Sequence, residues 1–193
     1  TELDWNRNNN WLIEDITDAL GGEHVVTVNS TYDKAKFFRK WGLGRDIPTD
    51  TLNWTYIPYQ HIEKVIDKLK PGDFVNIIRG NDESKWVGHV GLITRGAKGE
   101  INFLHSAKPE VREQPLLEYM QESLKLNLYR KQKNQKIYEY NEKIKTNQSD
   151  KKLKTPLPYF YGFKFLKLRQ DPLWELIKID GFRAPKVTIP SIY

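Results

Sequence analysis

The apolar positions change their period partway along the chain. In the first half they recur at helical spacing. Leu12, Ile13, Ile16 and Leu20 make one such stripe before Gly21-Gly22 and predict a helix over 11–20. Ile62, Val65, Ile66 and Leu69 fall at i, i+3, i+4 and i+7 ahead of Pro71-Gly72, and predict the clearest helix, over 60–69. A capping-box-like start at Ser30 and a stop at Gly42 predict another over 30–41. Residues 1–10 and 45–54 are polar and read as loops. From residue 73 the pattern becomes that of strands. Residues 73–78 carry Phe74, Val75, Ile77 and Ile78, and 86–94 and 100–105 form a hairpin turning near Gly96 and Gly99. Shorter extended pieces are expected at 25–28 and 55–58, and a last strand over 161–168 with Phe163, Phe165 and Leu166. Pro115 opens a helix to residue 124, with Leu116, Met120 and Leu124 on one face. Residues 131–154 have few apolar positions, and 172–193 reads as a proline-bearing tail wrapping the surface. Helices first and a consecutive antiparallel sheet of about four to six strands second is an α+β pattern.

Composition narrows the class. A chain of 193 residues with 38% hydrophobic and 12% aromatic residues can bury one core, so 1–193 is read as a single domain. No apolar run is long enough to span a membrane. There is no cysteine, which removes disulfides, thiolate metal sites and a cysteine nucleophile from this sequence. The net charge of +6 is concentrated between Arg130 and Lys154, where nine Lys/Arg face three acids, and the remainder is neutral. A solvated, partly disordered basic insertion over roughly 126–159 is the expected meaning. Its aromatics are too few for a base-stacking array, so nucleic acid is an unfavoured partner.

The candidate chemistry lies in the hairpin. Of four histidines, His89 and His105 fall on its two strands. A register pairing residues whose numbers sum to 194 places His89 opposite His105 and Gly91 opposite Phe103, with Gly91 leaving room for the ring. One imidazole would then act as base and the other would orient it. A one-residue slip would put them on opposite faces. A structural role for the pair carries equal weight on pattern alone, and two histidines make an incomplete zinc site. His24 and His61 show no partner signal. Trp5 and Trp86 are candidates to flank a substrate cleft and stack on sugar faces, against an equal case for packing.

Asp73, the run Gly88-His89-Val90-Gly91 and Leu104-His105-Ser106-Ala107 resemble the NlpC-type papain-like cysteine peptidases. Asp4-Trp5, Glu14-Asp15-Ile16-Thr17, Tyr56-Ile57-Pro58, Lys70-Pro71-Gly72-Asp73, Leu117-Glu118-Tyr119-Met120 and Tyr161-Gly162-Phe163-Lys164 point to the N-acetylmuramoyl-L-alanine amidase-like branch. The resemblance covers roughly 3–125 and 160–185. It implies a papain-like fold, with His89 as general base and His105 as its orienter. Ser106, where the family carries alanine, becomes a candidate substrate contact. No cofactor and no metal is implied. The implied activity is peptidoglycan hydrolysis at the muramoyl–L-alanine amide or a nearby stem-peptide bond, in the periplasm or outside the cell. The family's nucleophilic cysteine precedes everything matched here. The chain is therefore expected to be a C-terminal part whose thiol lies on a separate N-terminal segment, with Thr1 a far weaker candidate nucleophile. Peptidoglycan fragments, that segment or a second copy of the chain are the expected partners. The alternatives are an inactive relative that binds wall fragments or a protein partner, and a polyanion-binding module built on 130–154.

Overall fold

The computed structural model describes residues 2–42, 47–146 and 151–179, so Thr1 and the tail beyond 179 lie outside the described residues. The architecture is α+β, with helices set against an eight-stranded antiparallel sheet. Its strands are β1 (Ile13–Asp15), β2 (Val26–Tyr32), β3 (Asp50–Pro58), β4 (Phe74–Gly80), β5 (Lys85–Arg95), β6 (Ile101–Ser106), β7 (Val111–Pro115) and β8 (Tyr159–Leu168). Their order is β2-β3-β8-β4-β5-β6-β7, so the last strand in the chain lies at the middle of the sheet. β3 pairs with β8 only at Ile57 and Pro58, and β1 then takes over the same neighbour at Leu166–Leu168. The helices are α1 (Glu2–Asn8), α2 (Thr17–Gly21), α3 (Lys34–Arg39), α4 (Leu116–Thr146) and α5 (Pro172–Ile177).

Several expectations are corrected. Residues 11–20 do not form one helix. Pairing of β1 with β8 overrides the helical spacing, and Ile13 and Ile16 are buried from a strand and from the position before α2. Residues 60–69 fold into short 3-10 turns, Tyr59–Lys64 and Ile66–Lys68. These tight turns still bury Ile62, Val65 and Leu69, so the apolar pattern located the buried side chains and not the helix type. The expected loop over 1–10 contains α1, which buries Leu3 and Asn6. The expected loop over 45–54 contains the start of β3. α3 begins only after Asp33, whose carboxylate accepts the Lys36 N–H at 2.8 Å, because residues 30–32 continue β2. β7 was not foreseen.

Two apolar clusters cover the two sheet faces. The larger joins Val75, Ile77, Ile93, Phe103, Phe163 and Phe165 to Leu116, Tyr119 and Met120 of α4. The smaller gathers Leu3 of α1 with Trp54, Tyr56 and Ile78, and with Val87 packed against them. A bulge at Gly88 divides β5 between them: His89 lies opposite Ile77 and Val87 lies opposite Ile78. The extra residue resets the alternation, so His89 projects on the face that packs against α4 while Val87 projects on the other.

The expected solvated insertion is instead an ordered hairpin of α4 and a returning extended segment. α4 is 31 residues long and polar over most of its outer half. Asn127, Asn134 and Asn141 each pair with one peptide group-bearing residue of the return, Phe160, Leu157 and Lys154 respectively. In each pair the side-chain amide donates to the carbonyl and its oxygen accepts the backbone N–H, at 2.7–2.8 Å. Seven helical residues rise about 10.5 Å and three extended, proline-type residues about 9.3 Å. The two periods nearly match, and Pro156 and Pro158 favour the extended form of the return. Asn134 is only 1% exposed, so the polar ladder holds this part of the chain where an apolar stripe is lacking.

Candidate active site

β5 and β6 carry the two histidines, and α4 closes over them. The hairpin register pairs Gly91 with His105, Leu92 with Leu104 and Ile93 with Phe103. Paired numbers sum to 196, two more than the sequence suggested. A two-residue slip preserves the face, so His89 and His105 remain together but meet diagonally across Gly91. His89 Nε2 lies 2.9 Å from His105 Nδ1, with the rings perpendicular and their centres 5.0 Å apart. Gly91 allows this approach. A Cβ there would collide with the Leu104 carbonyl, come within 2.5 Å of Phe103 Cε2 and within 3.0 Å of His105 Cβ.

His105 is held more firmly than His89. It is 7% exposed, stacks on Phe103 at 4.6 Å and meets the edge of Tyr119 at 5.3 Å. Its Nε2 and the Tyr119 hydroxyl are both buried without a hydrogen-bond partner. His89 is half-buried, and no bond is made by its Nδ1 among the described residues. Burial first, then the neighbouring His105 and the charge of Arg79, push the His89 pKa below the ordinary 6.5. Burial and then Arg112 lower His105, against a smaller opposing effect of Glu122. Both rings are therefore neutral at pH 7. One proton sits in their shared bond, and His89 Nδ1 is a free lone pair if His89 Nε2 carries it. Such a pair can accept a proton from an acidic partner and return it.

Trp86 is placed on the same face. It lies opposite Arg79, which in turn lies opposite Phe160 of the larger cluster, and opposed residues share a face. It is 40% exposed. Trp5 is carried by α1 over the opposite face, so the two tryptophans do not flank one cleft. Ser106 ends β6 with its side chain exposed, directly after His105. His24 and His61, left without a partner by the sequence, stack on each other at 4.5 Å away from this pair. Sequence reasoning missed Tyr119 and Arg79 as neighbours of the histidines. Arg79 showed only as a charge near the end of the apolar run of β4, which does not reveal what it touches; Tyr119 showed only as part of a helix and of the Leu117-Glu118-Tyr119-Met120 resemblance.

A separate cleft of about 540 Å3 opens on the other side of the sheet, where β3 and β1 part, lined by Leu3, Asn6, Trp54 and Lys164. At its base Lys164, 3% exposed, is paired with Asp15. It holds neither histidine, so cavity size and candidate chemistry point to different places; the paired imidazoles have the reactive geometry and the cleft has none. Among the described residues no group of three or more His, Asp or Glu is gathered for a metal ion.

A family model described as AmiA-like, N-acetylmuramoyl-L-alanine amidase-like, matches residues 1–126, a span that includes both histidines and Tyr119. No curated protein and no solved structure matches the chain.

Proposed function

The chain belongs to the AmiA-like, N-acetylmuramoyl-L-alanine amidase-like family, and from that premise we propose that it is the histidine-bearing part of a cysteine-type peptidoglycan amidase with a papain-like arrangement. The observation that carries this reading is the 2.9 Å contact between His89 Nε2 and His105 Nδ1. His105 accepts the Nε2 proton of His89 and fixes its tautomer, which leaves Nδ1 to take a proton. The sequence holds no cysteine, so the thiol comes from a segment outside these 193 residues. His89 Nδ1 removes the thiol proton, and the thiolate adds to the carbonyl of the muramoyl–L-alanine amide or a nearby stem-peptide bond. Collapse breaks the C–N bond, and the proton on His89 passes to the departing amine. Water then attacks the thioester with His89 again as base, releasing the acid and restoring the thiol. The reading places the protein outside the cytoplasm, periplasmic or secreted. It makes wall fragments its substrate, and makes the thiol-bearing segment or a second copy its covering partner. No helix among the described residues is long and apolar enough to cross a membrane.

The experiment is to co-express the chain with the coding region upstream of Thr1 and to measure amine release from purified muropeptides. His89→Ala should lower the rate by about a hundredfold or more. His105→Ala should lower it less and shift the pH profile. Full activity in His89→Ala would sink this mechanism. A second reading, a non-catalytic relative that binds wall fragments, is favoured by the lack of cysteine in the sequence. It predicts muropeptide binding with no turnover even when the upstream region is present.

A further inference from the structure

Arg79 stands beside His89, and Arg130 stands beside Arg79. Arg79 of β4 lies opposite Trp86 on one side and Phe160 on the other, and so projects on the histidine face. Its aliphatic stem runs over Gly88, the residue before His89. A Cβ on Gly88 would come within 2.6 Å of Arg79 Cδ and 2.9 Å of Cγ, so the missing side chain is the seat of the arginine stem. Arg130 lies one turn beyond Asn127 on α4. The Asn127 amide grips both the N–H and the carbonyl of Phe160, the strand partner of Arg79, at 2.8 Å. The first rung of the asparagine ladder thus sets the turn bearing Arg130 above the end of β4 that bears Arg79.

The charge of Arg79 acts on both His89 and Arg130. Both arginines are half-buried, and among the described residues neither makes an ion pair or a side-chain hydrogen bond. Glu122, the acid that acts on His105, accepts from Gln114 at 3.1 Å, and no acid is paired with either arginine among the described residues. Two like charges partly withdrawn from water repel each other and lack their solvation. A bound anion would relieve both penalties. Guanidinium groups present planar forks that fit a carboxylate bidentately. The exposed ring of Trp86 adjoins Arg79 and offers an apolar wall.

We propose that Arg79 and Arg130 form an anion subsite that grips a free carboxylate of the wall peptide beside His89, with Trp86 as its side wall. This rests on the amidase reading and narrows its substrate class to acidic muropeptides whose carboxylate next to the scissile bond is not amidated. The subsite belongs to substrate binding. It also explains why α4 is pinned to β8 at Asn127, since loosening that rung would release Arg130.

The test is binding by the full 193-residue chain, which requires no turnover. N-acetylmuramoyl-L-alanyl-D-glutamate and its carboxamide counterpart are titrated calorimetrically into wild type, Arg79→Met and Arg130→Met. Methionine keeps much of the stem and removes the charge. Wild type should prefer the free acid by about tenfold or more, and each variant should lose that preference. Glutarate, which carries neither sugar nor peptide, is titrated in parallel while the His89 imidazole signals are followed by NMR. It should move those signals in wild type and not in Arg79→Met. If glutarate binds in this way and the muropeptide binds no better, the anion subsite stands and the wall-peptide reading fails. If the variants bind free acid and glutarate as wild type does, the subsite is overturned. Circular dichroism of each variant separates loss of binding from loss of fold.

Discussion

Gly91 decides whether the two histidines can meet. The sequence supported a directly opposed pair, and the structure delivers a diagonal one, because the hairpin is shifted by two residues. What survived the shift is parity: both side chains stay on the face that α4 covers. Gly91→Ala should therefore act on the pair itself. Its methyl group has the Leu104 carbonyl and the Phe103 ring in its path, so strands or ring must move. We expect a loss of about 1–3 kcal/mol in urea unfolding, with the imidazole–imidazole coupling lost in NMR spectra. A Gly91→Ala protein as stable as wild type, with the coupling intact, would contradict this account. The same residues set a pH dependence. His89 and His105 both titrate below the ordinary 6.5 in the folded chain. As pH falls through 6.5 the unfolded chain takes up protons that the folded chain refuses, so stability declines from there toward the lowered folded values. Above 6.5 their contribution is level. Urea midpoints measured between about pH 7.5 and about pH 5 should show this slope, and His89→Gln with His105→Gln should reduce it to the part left by His61, whose pKa is also lowered by burial. An unchanged slope in the double variant would assign the effect to other groups. At this scale the identity of the site residues was readable, since His89, Gly91 and His105 are plain in the string. Arg79 was not, because nothing in one strand's pattern shows which neighbour's stem will fill the space over Gly88.

The asparagine ladder is the element that hydrophobic reasoning could not see. Its two periods are present in the sequence: asparagines at 127, 134 and 141, and an extended, proline-bearing return contacted at 154, 157 and 160. Both stretches carry too few apolar residues to mark a buried face, and only their pairing reveals order. The 60–69 segment failed in the opposite way. There the apolar spacing was strong and its burial real, but 3-10 turns satisfy the same i, i+3 positions. If the ladder holds the hairpin, Asn134→Ala should be the most damaging of the three rungs. It removes the partner of the Leu157 N–H and carbonyl and empties the space of a side chain that is itself 1% exposed, which costs about 1–2 kcal/mol. Asn141→Ala, at the less buried end, should cost less. Hydrogen exchange at the Leu157 amide is the direct reading, and it should accelerate in Asn134→Ala while amides of β4 and β5 keep their protection. Equal exchange in both proteins would mean that the return is held by something other than this rung.

At the scale of the whole molecule, the family match and the fold divide the chain differently. The match ends at residue 126, one residue before the first rung of the ladder, yet β8 follows the ladder and lies between β3 and β4. Phe160, Phe163 and Phe165 reach the larger cluster from that strand. The matched span alone would therefore leave β4 unpaired along one edge, with Val75 and Ile77 stripped of their neighbours. By the same geometry the hairpin between lies outside the sheet. Asn134 touches Leu157 and Asn127 touches Phe160, so the chain just after Arg130 runs beside the chain just before Pro158. Replacing 131–156 by a short glycine linker keeps Asn127, Arg130 and all of β8, and removes most of the excess positive charge. That protein should unfold cooperatively with a midpoint near that of the full chain, lose helical signal in circular dichroism, and retain any anion binding at Arg79 and Arg130. A chain stopped after residue 126 should fail to fold or should aggregate. Cooperative folding of the 1–126 piece would show that β8 is an addition to the sheet; failure of the linker protein would show that the ladder supports the body as well as itself.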